Sequence, residues 1–261
     1  MNIKILMLGD VVGTEGTDYL LSGGRLRRFI KENNISLTVA NGENSAEGNG
    51  ITPTSAKALF EAGADVITGG NHTLRKKNFY NMIDDDSRLL RPANYPSHSP
   101  GQGHITVDVF GYRVLIINLA GQVYMDTHAS SPFDKLDYIL ESESGRYDAV
   151  LVDIHAEATS EKIALAKYAD GRVSAVVGTH THVPTADITV LNGGTGYITD
   201  LGMCGSFAGV LGVKTEPIIH KFRSVTPVTF EPAVGDVSAW GAVFELELPS
   251  GRCVNAESVK F

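Results

Sequence analysis

Cysteine is nearly absent from this chain. Its 261 residues include two, Cys204 and Cys253, far apart and without CxxC spacing. A disulfide framework is not expected, and a cytoplasmic location is the default. Long apolar runs are missing too. None approaches the roughly 18 residues that a membrane span requires, so no membrane partner is expected. The opening MNIKILMLGD runs straight into a polar motif and reads as a first strand rather than a leader. Positive charge is in deficit, with 22 Lys plus Arg against 30 Asp plus Glu and a net charge of −8. A protein that grips long nucleic acid usually carries a basic face. None is visible, so no long nucleic acid is expected. A small anionic substrate stays compatible if metal ions supply local positive charge. There is no repeat, no low-complexity tract and no Pro/Ser-rich or charge-dense linker. Residues 1–261 therefore read as a single domain, long enough for a substantial core. A hydrophobic content of 43% with 20% charged residues excludes disorder. The sequence leaves room for a homo-oligomer.

What recurs is a short Val/Ile/Leu-rich run that ends in a polar cluster. Ile3–Leu8 leads into Gly9-Asp10, and Leu37–Ala40 into Asn41-Gly42-Glu43-Asn44. Asp65–Thr68 leads into Gly69-Gly70-Asn71-His72, and Ala149–Ile154 into His155. Ser174–Val177 leads into Gly178-Thr179-His180-Thr181-His182, and Gly196–Thr199 into Asp200-Leu201-Gly202. Such runs suit strands buried on both faces. Helical signals follow several of them. Thr52-Pro53 is an N-cap and N1 pair opening a helix through about Glu61, closed by Gly63. Thr159 or Ser160 can cap a helix through about Tyr168. Asp18–Glu32 and Asp134–Glu143 also read as helices. Ile105–Phe110 and Arg113–Leu119, joined at Gly111, read as a hairpin. Ile188–Val190, Val225–Phe230, Ala242–Leu248 and Cys253–Val259 make the last third strand-rich. The expected architecture is α/β, with mixed β-sheets packed together and flanked by helices.

In open α/β folds ligands bind beyond the C-terminal ends of the strands. The polar clusters all sit at such ends, which collects Asp10, Glu43, Asn44, Asn71, His72, His155, His180 and His182, with Asp200 as a further candidate. The set is rich in oxygen and nitrogen donors and poor in thiol. Two His and a carboxylate suffice for one catalytic metal. Three His, two carboxylates and two Asn amides suffice for two metals if Glu43 bridges them. His180 and His182 project to one side of an extended segment and can serve neighbouring ions. Of the adjacent Asn71 and His72, one can ligate while the other faces substrate. Singly, each residue has an ordinary explanation. Gly-Asp after a strand is common, Asn-Gly-Glu-Asn reads first as a turn, and His155 alone reads as a hydrogen-bonded core histidine. Their joint placement at strand ends is what points to a metal site. His98, His104, His128 and His220 lie away from such ends and read as surface or packing residues.

In order, a strand-end Asp, a second acidic motif, Gly70-Asn71-His72, the lone His155 and Gly178-Thr179-His180-Thr181-His182 resemble the calcineurin-like metallophosphoesterases. More narrowly, the chain resembles the YmdB family of bacterial phosphodiesterases. That resemblance rests on Gly9-Asp10-Val11-Val12-Gly13, Asn41 to Ala46, Arg91-Pro92-Ala93-Asn94-Tyr95, His155 to Lys162, Gly178 to Asp187 and Thr199 to Met203. Two positions depart from the wider superfamily: Val12 stands where its Asp-x-His motif has a His, and Glu43 where it has a bridging Asp. The resemblance implies a metallophosphoesterase-like fold with its site at the C-terminal strand ends. It implies one metal on Asp10, Glu43, Asn44 and His182, and a second on Glu43, Asn71, His155 and His180. It associates the chain with iron and with hydrolysis of 2′,3′-cyclic nucleotides. Imidazole and carboxylate accept Fe, Mn or Zn alike.

Two neighbouring ions lower the pKa of a shared water and neutralise phosphoryl charge. A dimetal-activated hydroxide would then attack phosphorus, and the leaving ribose oxygen needs a proton. His72, beside Asn71, is the candidate general acid. Arg91, Asn94 and Tyr95 either contact substrate or serve structure. The expected function is thus a dinuclear metal-dependent hydrolase of small cyclic phosphodiesters. The alternatives are a phosphomonoesterase or 5′-nucleotidase on the same fold, and a non-catalytic metal-binding regulatory protein. A TIM-barrel amidohydrolase fits less well, because that class carries its HxH near the first strand.

Overall fold

The computed structural model describes residues 1–126 and 128–261. Two six-stranded sheets pack face to face. Across its width the first contains β12 (Arg252–Lys260), β11 (Val237–Glu247), β10 (Met203–Ser206), β1 (Asn2–Val12), β2 (Leu37–Asn44) and β3 (Val66–Thr68). The second contains β4 (His104–Val109), β5 (Tyr112–Ala120), β6 (Ala149–His155), β7 (Ala175–Thr179), β9 (Gly196–Ile198) and β8 (Thr189–Val190). Strands β10, β1, β2 and β3 run parallel, as do β5, β6, β7 and β9. Antiparallel β11, β12, β4 and β8 complete the mixed sheets.

Alternation along the strands sorts the apolar runs into layers. Ile3, Ile5, Met7, Val39 and Val66 of the first sheet meet Val114, Ile116, Leu151, Ala175 and Val177 of the second in one buried cluster. Leu6, Leu8, Ala40 and Ile67 face the other way. They pack on Leu20 of α1 (Gly13–Leu21), Leu26 of α2 (Arg25–Asn33), Leu59 of α3 (Pro53–Ala62) and Ile83 of α4 (Tyr80–Asp85). On the far side, Leu115, Ile117, Val150 and Val152 pack on Leu136 of α5 (Pro132–Ser142) and Leu165 of α6 (Thr159–Ala169). The result is helix, sheet, sheet, helix, as the sequence pattern implies. Among the described residues no helix is long and apolar enough to cross a membrane.

The Thr52 cap forms as a capping box with Ser55, and the hairpin turns at Phe110 and Gly111. Elsewhere the structure departs from the expected elements. The helix expected over Asp18–Glu32 is split, because Gly23 and Gly24 both take left-handed backbone (φ 63° and 64°). Helix α6 starts at Thr159 with Ala158 in the N-cap position, so neither Thr159 nor Ser160 caps it and no side-chain cap bond forms. No strand forms at Val225–Phe230: Val225 is fully exposed, and Pro227 removes a ladder donor. An unanticipated helix, α7 (Thr215–Arg223), precedes that segment.

Candidate metal centre

The centre is the top of the inter-sheet layer. On β2 the residues facing that layer are Val39, Asn41 and Glu43; on β6 they are Leu151, Asp153 and His155; on β7, Val177 and Thr179. Reading upward, each strand offers first an apolar side chain, then a polar one, and the tallest strands then offer a donor. Thr68 of β3 and Asn118 of β5 complete the polar level.

Every member of that level is buried and bonded. The Asp153 carboxylate accepts from Thr68 Oγ1 (2.5 Å), Thr179 Oγ1 (2.7 Å) and Asn41 Nδ2 (3.0 Å). Burial pushes the Asp153 pKa up, against those three donors and the charge of His155. Asn118 pairs through its amide with both N–H and C=O of Gly69, fixing the loop that carries Asn71. Thr179 Oγ1 gives its one proton to Asp153, so it accepts from His155 Nδ1 at 2.9 Å. His155 Nδ1 therefore carries a hydrogen, and Nε2 is the nitrogen turned to the cavity, where it would give its lone pair to a metal ion. Thr179→Val should therefore weaken metal binding by about 10–100-fold, the usual cost of removing a partner that orients a ligating imidazole. Chelator competition would measure it. An unchanged affinity with a cooperative thermal transition would remove Thr179 from this role.

Around His155 Nε2 stand Asn71 Oδ1 (3.0 Å), His180 Nδ1 (3.0 Å) and Glu43 Oε1 (3.2 Å). One donor atom each from Glu43, His155 and His180 lies within 4.8 Å of the others. A proton on His155 Nε2 bridges to Asn71 Oδ1 and Glu43 Oε1, in keeping with the raised His155 pKa, and a metal ion would take the place of that proton. Metal bonds of about 2.0–2.2 Å place neighbouring donors roughly 3 Å apart, which is the spacing here. Gly70 makes this approach feasible, since a Cβ there would lie 2.4 Å from both His155 Nε2 and Glu43 Oε2.

A second group lies on the other side of Glu43. Asp10 Oδ1 and His182 Nε2 are 3.8 Å apart, and Asn44 Nδ2 is 2.8 Å from Glu43 Oε1 and 3.3 Å from His182 Nε2. Asp10 Oδ1 and His182 Nδ1 are buried without a hydrogen-bond partner. These unpartnered atoms fit a metal ion as ligands or as neighbours of one. Asn44 turns its NH₂ inward and its oxygen to His72 Nδ1 (2.9 Å). To ligate through oxygen its carboxamide must turn over, which exchanges O and N without displacing the group.

Charge follows geometry. Burial pushes the Asp10 pKa up to about 6, while His182 and His155 pull it back. Burial would also raise Glu43, but His155 and His72 hold it well below the ordinary carboxylate value. Burial alone would lower His155; Glu43, Asp10 and Asp153 carry it above its ordinary value instead. Burial, and then the His155 charge, push His180 down to about 3. The cage as a whole favours a cation at its centre.

His180 and His182 occupy left-handed backbone (φ 105° and 65°), and the bend is tied from both sides. The His180 N–H donates to Asp10 Oδ2 (2.9 Å), and Thr181 donates from N–H and hydroxyl to Asp200 Oδ2. Asp200 is not among the donors. Its carboxylate turns beneath the bend to a buried pair with Lys162 at 2.7 Å. Arg91 Nε is buried without a hydrogen-bond partner. Asn94 is buried and clasps Ala120 and Ser130, and Arg91 donates to the Pro92 carbonyl. The Tyr95 hydroxyl donates to Gly70 O, and burial raises its pKa. His98 and His128 are exposed, His104 lies 3.8 Å from Glu143, and His220 bonds Thr226. The residues missed from sequence are Asn41, Thr68, Asn118, Asp153 and Thr179. Their signal was a polar residue at the core-facing parity of an apolar strand, as Asp153 is in Ala149–His155.

Packed mixed sheets, flanking helices and a His/Asn/carboxylate cage at parallel strand ends define the metallophosphoesterase-like class of α/β proteins. The chain belongs to the YmdB-like protein family, whose profile matches residues 6–259. It is 42% identical over 258 residues to the 2′,3′-cyclic-nucleotide 2′-phosphodiesterase of Bacillus subtilis (strain 168), covering 98% of this chain and 96% of that one. The crystal structure of a novel phosphatase from Mycoplasma pneumoniae superposes with a TM-score of 0.94 at 32% identity, covering 100% of this chain and 94% of that one. A putative 5′-nucleotidase from Staphylococcus aureus shares the fold alone. Its TM-score is 0.62 at 15% identity, over 99% of this chain and 54% of that one.

Proposed function

We propose that this chain is a dinuclear metal-dependent phosphodiesterase that hydrolyses small cyclic nucleotides of the 2′,3′-cyclic AMP type. The observation that carries this reading is Glu43, which stands between two groups of lone-pair donors with His72 beside it. The activity named for the Bacillus subtilis relative supports it. One ion would rest on Asp10, Glu43, Asn44 and His182, and the other on Glu43, Asn71, His155 and His180. Iron is the reading for both, with Mn or Zn accepted by the same donors. When bound, the ions supply Lewis-acid charge for the phosphoryl oxygens and lower the pKa of water to near neutrality.

The residues do the rest. Asp153 and Thr179 hold His155 in the tautomer that presents Nε2. The Lys162–Asp200 pair holds the bend that aims His180 and His182. The His72 N–H donates to Glu43 Oε2 (2.8 Å) and keeps that carboxylate turned inward. His72 Nδ1 lies 2.9 Å from Asn44 Oδ1 and donates its N–H to it. Protonated on Nε2 as well, the imidazolium would supply the proton that the leaving ribose oxygen needs. Residues 1–261 act as one domain, since β1 pairs with β11 along Asn2–Leu8 and ties the two ends together. Both cysteines are buried and free, which suits the cytoplasm.

A side-by-side assay with one metal tests the substrate class. The expected result is faster turnover of 2′,3′-cyclic mononucleotides than of nucleoside monophosphates. The reverse order would make the enzyme a phosphomonoesterase on the same fold.

A further inference from the structure

A hollow of about 180 Å³ opens beside Asn44, at the end of the donor cluster. Its place follows from β1. Asp10 and Val12 are two apart on one strand, and Val12 pairs in register with Asn44 of β2. One strand step beyond the cluster, the lining turns apolar: Val12, Ala46, Val213, Phe230, Pro232 and Ala233. Val12 makes the wall beside the donors hydrocarbon.

The far wall is braced rather than loose. Val213 pairs with Val210 and with Pro232, the Lys214 N–H donates to Glu231 O (2.9 Å), and the Ala233 N–H donates to Gly212 O (2.9 Å). This ladder holds up Phe230, which is 45% exposed despite its large ring. Of the acidic residues that line the hollow, Glu231 is paired with Lys214 at 2.6 Å, and Lys221 Nζ lies 4.9 Å from the centre of the Phe230 ring. Glu15 and Glu47 offer carboxylates to the amino edge of a neutral ring. Small-ligand sites combine such apolar walls with a few convergent polar groups. The larger hollow bounded by Arg27, Phe60 and Arg88 also reaches Leu37 and Thr38, at the opposite end of β2 from Glu43.

We infer that this hollow is the nucleobase pocket, with Phe230 as its stacking face and Val12 as its wall next to the phosphate site. The inference rests on the phosphodiesterase reading and assigns the organic half of the substrate. Aromatic side chains stack on any base, so the pocket admits more than one nucleotide. Glu15 and Glu47 favour bases that carry an amino group.

The test compares two substrates that share the scissile ring: 2′,3′-cyclic AMP and base-free ribose 2′,3′-cyclic phosphate. Phe230→Ala should raise KM for cyclic AMP about 10-fold, on the scale of one lost base stack, and leave kcat unchanged. Its kcat/KM on the base-free substrate should equal that of the unsubstituted enzyme. Val213→Trp, which fills the hollow, should show the same selective loss. Adenosine titrated into the methyl- and Phe-labelled protein should shift Val12 and Phe230 saturably, and Val213→Trp should abolish those shifts. Equal losses on both substrates would overturn the assignment, as would adenosine shifts clustered elsewhere or absent. A change of mass in solution on Val213→Trp would instead seat a second copy of the chain in the hollow. If neither phosphate is turned over by the metal-loaded enzyme, the phosphodiesterase reading fails, and the adenosine titration still decides the pocket.

Discussion

Glu43→Gln is expected to abolish the two-metal centre. The substitution keeps the shape of the side chain and removes the charge. Oε1 lies 2.8 Å from Asn44 Nδ2, 3.2 Å from His155 Nε2 and 3.3 Å from His72 Nδ1, so it reaches both donor groups. An amide in that place has one donor-free oxygen and cannot serve both. Activity should fall by about 10³-fold or more, because the charge stabilisation that metals contribute is worth several kcal/mol at roughly 1.4 kcal/mol per tenfold. Metal content should fall with it. The metal-free variant should melt lower than the metal-free parent near neutral pH, since ionised Glu43 accepts from Asn44 and His72 and is held below its ordinary pKa by His155 and His72. Full metal content with lost activity would mean that Glu43 acts on the substrate rather than on the ions.

His72→Ala is expected to discriminate between leaving groups. The backbone N–H that His72 gives to Glu43 survives the substitution, and the side chain is a quarter exposed, so both metals and the fold should persist. A cyclic nucleotide expels a ribose alkoxide, which needs a proton. Its turnover should drop by about 10²–10⁴-fold, the usual range for general acid catalysis. A nitrophenyl phosphodiester expels a phenolate that leaves unaided and should lose far less. Equal losses on both substrates, with metals retained, would place His72 on the phosphoryl group. Loss of a metal would place its side chain, or the turn it sits in, among the ligands.

The layered fold was legible because its strands are short, apolar and punctuated. Val, Ile and Leu at both parities of β1, β2 and β6 require cover on both faces, and that dictates the helix–sheet–sheet–helix order. The convergence of Asp10, Glu43, Asn71, His155, His180 and His182 was legible because each follows such a run. What could not be read was direction. Asp200 also follows an apolar run, yet it faces downward, because Lys162, 38 residues earlier, reaches beneath the bend to meet it. The Asn44 amide orientation depends on His72 and His182, which local sequence does not place. The Val225–Phe230 segment has strand-forming residues, but Pro227 removes a ladder donor from its middle. The polar level of Asn41, Thr68, Asn118, Asp153 and Thr179 was hidden because each residue is alone on its own strand. They form a network only when five strands of two sheets are brought together.

Two metal ions, one on each side of Glu43, are what the proposed chemistry requires of these donors. Metal analysis of protein purified without chelators or affinity metals tests it most directly. About two transition-metal ions per chain, with iron or manganese prominent, is the result expected. A content near zero or one in fully active protein would contradict it.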